Sequence, residues 1–175
     1  MLINEENFEL IRLLNKIEWP VTPDVFDAVC NNLSINPVDL ALLRKGEKEH
    51  EVFLIYREDK FFKGWHFPGS VILPGRTVNS VLKDVVEREI GISAQGLMFE
   101  LVGFHQFMKG KNTGECPRGQ EISLFHALFL DSKTKIETDK NRKFFPINKL
   151  PHNILPHHKI LALDLKEYLL INRVF

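Results

Sequence analysis

The sequence has little from which to build a disulfide or zinc framework. Its 175 residues hold two cysteines, Cys30 and Cys116, far apart in the chain. With the seven histidines they make no standard zinc spacing. Two such thiols read as reduced cysteines of a cytoplasmic protein. No apolar run approaches the roughly 20 residues of a membrane span. The opening MLINEENFEL is acidic and lacks the basic-then-apolar layout of a signal peptide. Formal net charge is +0, so no global field gathers nucleic acid or anionic membrane, and neither is expected as a partner. Internal repeats and low-complexity tracts are absent. What is present is ordinary for a globular chain: 44% hydrophobic and 26% charged residues, and length enough for one domain with a core plus a small extension.

Apolar spacing predicts a helix over residues 4–17. Asn4 is placed to cap it, Glu5 and Glu6 suit its positive end, and Phe8, Leu10, Ile11, Leu14 and Ile17 form an apolar stripe. Trp19-Pro20 ends it. Thr22-Pro23 opens a second helix with Val25, Phe26, Val29 and Leu33 inward. Residues 1–36 therefore read as a helical extension, either packed on the rest or offering a dimer or partner surface. Residues 38–44 and 52–57 read as a strand hairpin around GEKEHE. Residues 58–64 read as a loop. Further strands are expected at 71–73, 98–108, 121–130 and 144–147, a polar loop at 109–119, and a last helix at 157–172. Hairpins with helices at the ends and in the middle fit an α+β sheet with helices on its faces.

The most informative stretch runs from Gly64 to Ile92. Pro68-Gly69 and Pro74-Gly75 are turn dipeptides. Thr77 stands where a helix cap belongs. Val78, Val81, Leu82, Val85, Val86 and Ile90 mark one helix face, and Gly91 closes the helix in the left-handed region. This loop and helix resemble the box of the Nudix hydrolases, G-x5-E-x7-R-E-U-x-E-E-x-G-U, with its W-x-x-P-G lead-in at Trp65–Gly69 and its closing Gly91-Ile92. The polar positions depart. Ser70 replaces the box glycine, Arg76 the first glutamate, Asp84-Val85 the Arg-Glu pair, and Arg88 the first of the two later glutamates. Glu89 remains.

The resemblance implies a Nudix-like α/β/α sandwich around a mixed sheet, with residues 1–36 as an N-terminal helical extension and 37–175 as the Nudix-like domain. It implies hydrolysis of a nucleoside diphosphate linked to another group, such as a sugar. The reaction would depend on magnesium, or manganese, held at a reduced site by Glu89 and the carbonyl of Gly69. Gln120, Glu121 or Asp139 would supply a third contact. Diphosphate hydrolysis needs charge neutralised and a water aimed, and magnesium wants several oxygen ligands for that. The alternative is a catalytically inactive Nudix-fold module that binds a nucleotide or a protein. GDP-mannose mannosyl hydrolases are similar in Gly64–Gly69 and Glu89–Gly91. Their late-loop histidine has no counterpart in residues 137–145, where Asp139 and Lys140 stand.

Four further side chains are candidates for binding substrate. Arg88, where a metal carboxylate would be, could hold a phosphate bidentately; the plainer reading pairs it with Asp84. Arg57 would join it. Arg118 sits in a turn, for a phosphate or for solvent. Trp65, like Phe61 and Phe62, would stack on a base or fill the core. Arg76 and Asp84 exchange the family's charges and are expected to pair. His105 and His126 lie on strands, as structural residues or as a base.

Overall fold

The computed structural model describes residues 5–110, 116–131 and 133–172. Asn4 and loop residues 111–115 lie outside them. The hairpin of β1 (Pro37–Lys45) and β2 (His50–Glu58) forms as expected, closed by Gly46 N–H donating to the Glu49 carbonyl at 3.0 Å. β3 (Lys63–His66) pairs antiparallel with β2, and β4 (Gly69–Val71) with the start of β1. After the box helix come β5 (Glu100–Phe107) and β6 (Glu121–Phe129), an antiparallel pair, and β6 lies parallel to β1. β7 (Arg142–Pro146) returns beside β2, and α4 (Pro156–Ile171) follows. The main path of this mixed sheet runs β3-β2-β1-β6-β5.

β1 is the centre. Residues 38–43 are buried throughout, because helices cover both faces of the sheet. Val38, Leu40 and Leu42 face the box helix with Phe53, meeting Val81, Leu82, Val85, Val86 and Ile90. Ala41 and Leu43 face the other way with Phe67 and Phe125, meeting Leu161, Leu165 and Leu169 of α4. The period of two along a strand puts Asp39 on this second face.

Four expectations are corrected. Residues 63–66, read partly as loop, form β3, because Trp65 is buried there against Tyr56 and Phe145, with ring centroids 5.5 and 4.9 Å away. The short strand in the box loop is Gly69–Val71, two residues early, where it pairs with β1. In α2 (Pro23–Asn32) the buried residue is Cys30, while Val25 and Leu33 are exposed. α1 (Glu5–Leu14) buries nothing, and Phe8, Leu10, Ile11, Leu13 and Leu14 are 46 to 69% exposed. Its stripe is amphipathic, but none of the described residues buries it.

α2 is nonetheless fastened to the sheet. Ile35 N–H donates to the Gln120 carbonyl at 3.0 Å, and Ile122 N–H to the Ile35 carbonyl at 2.9 Å. Lys60 pairs with Asp27. Gly119 lies so close to the Cys30 carbonyl that an added Cβ would stand 2.0 Å from it.

Candidate functional site

The box helix begins as expected. Thr77 caps α3 (Val78–Val85), its hydroxyl accepting from Ser80 N–H at 3.1 Å, while the Ser80 hydroxyl accepts from Thr77 N–H at 3.1 Å. A single uniform helix was expected, but Val86–Ile90 widens into a π turn. Gly91, with φ 81°, closes it by donating to the Val86 carbonyl five residues back. Such bulges re-aim side chains and recur at functional sites. Here the turn carries Arg88 and Glu89.

Glu89 comes to the start of β4. Its Oε2 accepts from Gly69 N–H at 3.4 Å, and its Oε1 from Arg88 at 2.8 Å. Arg88 thus pairs with its neighbour, and Asp84 pairs with Arg76 at 2.6 Å, the reversed-polarity contact foreseen from the box. Val85 is fully buried in the core.

A cleft of about 560 Å³ opens beside this turn, with Arg57, Arg88 and Arg142 on its walls and His66, Gly69 and Glu89 among them. Each guanidinium has one carboxylate partner: Arg57 with Asp59 at 2.5 Å, Arg88 with Glu89, and Arg142 with Asp139 at 3.2 Å. A guanidinium offers five donors, so each keeps several for a ligand.

Arg57, His66 and Gly69 also line a neck of about 90 Å³ behind the cleft, on the α4 side of the sheet. Asp39 stands in its wall, with one oxygen accepting from the Ser123 hydroxyl at 2.5 Å. Burial, aided by the nearby carboxylates of Glu121 and Glu89, pushes its pKa up to about 7. Burial raises the Glu121 pKa as well, against the pull of the Cys116 hydrogen bond and Arg118. The Cys116 thiol is pushed to about 12 by burial and by Glu121, so it is no nucleophile.

Three imidazoles complete the neck. His66 Nδ1 lies 2.6 Å from the Phe67 carbonyl, and Phe67 N–H donates to His158 Nδ1 at 3.3 Å. Burial holds His66 and His157 near pKa 4 and His158 far below its usual value. They are neutral at pH 7. Among the described residues two buried side-chain atoms lack a hydrogen-bond partner, Arg118 Nε and His157 Nδ1, and both residues line this neck. Buried groups of that kind are rare and call for a missing partner.

Arg118 also opens onto a third space, a cavity of about 820 Å³ between the N-terminal extension and β4, with Trp19, Phe26 and Phe61 on its walls. Three ring centroids, of Phe26, Phe61 and Phe62, lie 5.4, 5.4 and 5.3 Å from its guanidinium carbon.

The structure thus brings Arg57, Arg88, Glu89 and Gly69 to one cleft and Arg118 to the neck behind it. Trp65 it places in the core. Asp139 meets Arg142, and Glu121 stands in the neck. His105 pairs with Asp164, and His126 Nδ1 lies 3.1 Å from the Leu124 carbonyl. Sequence reasoning passed over Asp39, His66, His157 and Arg142. Asp39 had a signal: it is the one carboxylate within the apolar run VDLALL. His157 had none, since its place depends on how α4 crosses the sheet.

No protein-family model and no curated protein sequence matches the chain. Solved structures do. The chain is similar to the NUDIX domain of Shewanella oneidensis NrtR, solved in complex with ADP ribose, at 15% identity and a TM-score of 0.60 over 91% of this chain and 97% of that one. A mutT/nudix family protein from Listeria innocua aligns at 13% identity and TM-score 0.65, over 80% and 96% of the two chains. The C. elegans Ap4A hydrolase aligns at 12% and 0.60, over 79% and 98%. The likeness is one of fold, and the sheet, the helices on its faces and the box helix at its place beside β1 and β4 agree with it: the chain has the Nudix fold.

Proposed function

We propose that the chain binds a nucleoside diphosphate linked to a second group, and that its arginines, rather than a metal, meet the diphosphate. The observation that carries this reading is the cleft beside the π turn, which Arg57, Arg88 and Arg142 line together with Glu58 and the one box carboxylate, Glu89, already paired with Arg88. Exposed ion pairs are worth about 0–1 kcal/mol, so exchanging a carboxylate partner for a phosphate costs little. A phosphate oxygen pair suits the guanidinium fork. The ADP ribose carried by a protein of the same fold supports the ligand class.

Magnesium, expected from the box, fits these residues poorly. Glu89 is already engaged by Arg88 at 2.8 Å and by the Gly69 N–H at 3.4 Å. Among the described residues no group of three His, Cys, Asp or Glu side chains could hold a metal ion. The second reading, metal-dependent hydrolysis at a reduced site, rests on Glu89 standing beside Gly69.

Calorimetric titration with ADP-ribose, in EDTA and in magnesium or manganese, separates the two. Our reading expects binding that ignores the metal, weakens about tenfold or more in Arg88→Ala, and changes little in Glu89→Gln. Metal-dependent turnover that collapses in Glu89→Gln would replace it with the hydrolase. Absence of binding by the unaltered chain would sink it.

A further inference from the structure

The N-terminal extension has no part in the Nudix box, yet it closes one side of the largest of the three connected spaces. The cleft, the neck and the cavity behind α2 form a series. Gly69 and Arg57 line the cleft and the neck; Ser70, Val71 and Arg118 line the neck and the cavity. Gly69, Ser70 and Val71 are successive residues of β4, and a strand advances about 3.3 Å per residue. The three spaces therefore adjoin along β4, the neck lying between the cleft and the cavity.

The cavity's chemistry suits a flat ring. Trp19 before α2, Phe26 on α2 and Phe61 on the β2–β3 loop bring aromatic surface to its walls. The polar groups among them are mostly taken. Asp27 pairs with Lys60, and Asp59 accepts from Arg57 and from the N–H groups of Phe61 and Phe62. Arg118 is different. Its guanidinium sits among three phenyl rings, and its Nε–H is buried with no acceptor. A buried donor left unmade is costly, and a ring nitrogen or a ribose hydroxyl arriving there would satisfy it.

We propose that the segment Trp19–Phe26, with Phe61 and Arg118, is the base-binding chamber of this protein, so that the N-terminal extension supplies half of the ligand site. The inference rests on the proposed nucleotide reading and adds to it where the base goes. Stacking accounts for its strength and tolerates different bases, because every base has a flat face. Arg118 covers the stacked rings and donates to the ligand. At Gly119 any side chain would collide with the Cys30 carbonyl, so the residue after Arg118 lets α2 approach this closely.

The test compares ADP-ribose with inorganic pyrophosphate, which has no base, by calorimetry on the full chain. Phe26→Leu and Phe61→Leu should each weaken ADP-ribose about ten- to a hundredfold and leave pyrophosphate unchanged. Arg88→Ala should weaken both. A purely structural role for the two phenylalanines would weaken both ligands alike and overturn the proposal. Should either leucine variant fail to fold, fluorescence decides: ADP-ribose should quench emission in the unaltered chain, and Trp19→Phe should lose that quench. A quench unchanged in Trp19→Phe overturns the chamber. So does ADP-ribose affinity that ignores Phe26 and Phe61 while still falling in Arg88→Ala, an outcome that leaves the phosphate cleft standing. No binding of ADP-ribose at all removes both readings together.

Discussion

The outer face of the box helix and the polar neck behind Gly69 are neighbours with opposite electrostatics. On the helix, Arg76–Asp84 is a solvent-facing ion pair worth about 0–1 kcal/mol, and Arg88–Glu89 joins an exposed guanidinium to a half-buried carboxylate. In the neck, a carboxyl is pushed to about 7 and two imidazoles to about 4, and one pKa unit corresponds to about 1.4 kcal/mol. The part of the chain that resembles a catalytic signature is thus electrostatically cheap. The costly polar arrangement lies one strand away, where no motif points. Strongly shifted groups gather at functional sites because they are retained against folding stability. The comparison therefore moves attention from the box to the wall that Asp39, His157 and Arg118 share.

The largest expected effect tests that wall directly. Asp39 holds its proton more tightly folded than unfolded, from about 4 up to about 7. Its contribution to stability therefore falls as pH rises through that window and is level above it. Asparagine keeps an oxygen for the Ser123 hydroxyl and has nothing to ionise. Asp39→Asn should match the unaltered protein near pH 4 and exceed it by up to about 4 kcal/mol at pH 8, measured by urea unfolding. Parallel curves at both pH values would show that Asp39 ionises freely and that the contrast between helix and neck is overstated.

The histidines act with the opposite sign. An imidazole whose folded pKa is depressed contributes stability that is present above its unfolded pKa, near 6.5, and is lost as pH falls toward 4. His157→Phe should flatten the acid limb of the stability curve by about one proton, or about 1.4 kcal/mol per pH unit between pH 6 and 4.5. The new ring would sit beside Phe62 and Phe107, whose centroids lie 5.5 and 5.7 Å from the present imidazole. The slope is the readout, because absolute stability also changes with packing.

Gly69 joins the two regions, and its substitution should disturb both. A Cβ there would stand 2.6 Å from the Val38 carbonyl oxygen and 2.7 Å from Asp39 Oδ1. The first obstacle is backbone, so β4 must shift from β1. Gly69→Ala should cost about 1–3 kcal/mol and weaken ADP-ribose binding as well. A variant as stable as the parent would mean that β4 yields easily and that the neck is less rigid than its hydrogen bonds suggest.

How much of this could be read beforehand follows from which interactions are local. The box helix was legible because its cap, its apolar face and its closing Gly91 are all set within sixteen residues; so was the Arg76–Asp84 contact, eight positions apart. The hairpin of β1 and β2 was legible for the same reason. The π turn was not, since Val86–Ile90 satisfies an ordinary helical pattern and widens only against the core. β3 was hidden because Trp65 is buried by Phe145 and Tyr56, one of them eighty positions away. The neck was legible only in part: Arg57, Gly69, Arg118 and Glu121 were named one by one, but the wall is assembled from β1, β2, β3, β4, β6 and α4, and no spacing in the sequence links Asp39 to His157.

The smallest effect is the most diagnostic of the box itself. In the resemblance to the box Arg76 and Asp84 would stand for a glutamate and an arginine with the charges exchanged, and their contact is 2.6 Å with both side chains 40% or more exposed. If the pair does nothing beyond holding the loop before α3 to the helix, polarity is immaterial. Arg76→Glu alone sets two carboxylates against each other and should cost about 0.5–1 kcal/mol; adding Asp84→Arg should recover most of it, a coupling that a double-mutant cycle reads directly. ADP-ribose affinity should be the same in the doubly exchanged protein, because neither side chain lines the cleft, the neck or the chamber. Coupling near zero would make the contact a crossing of two mobile side chains. Altered affinity would draw the outer face of the helix into the ligand site and dissolve the division between helix and neck.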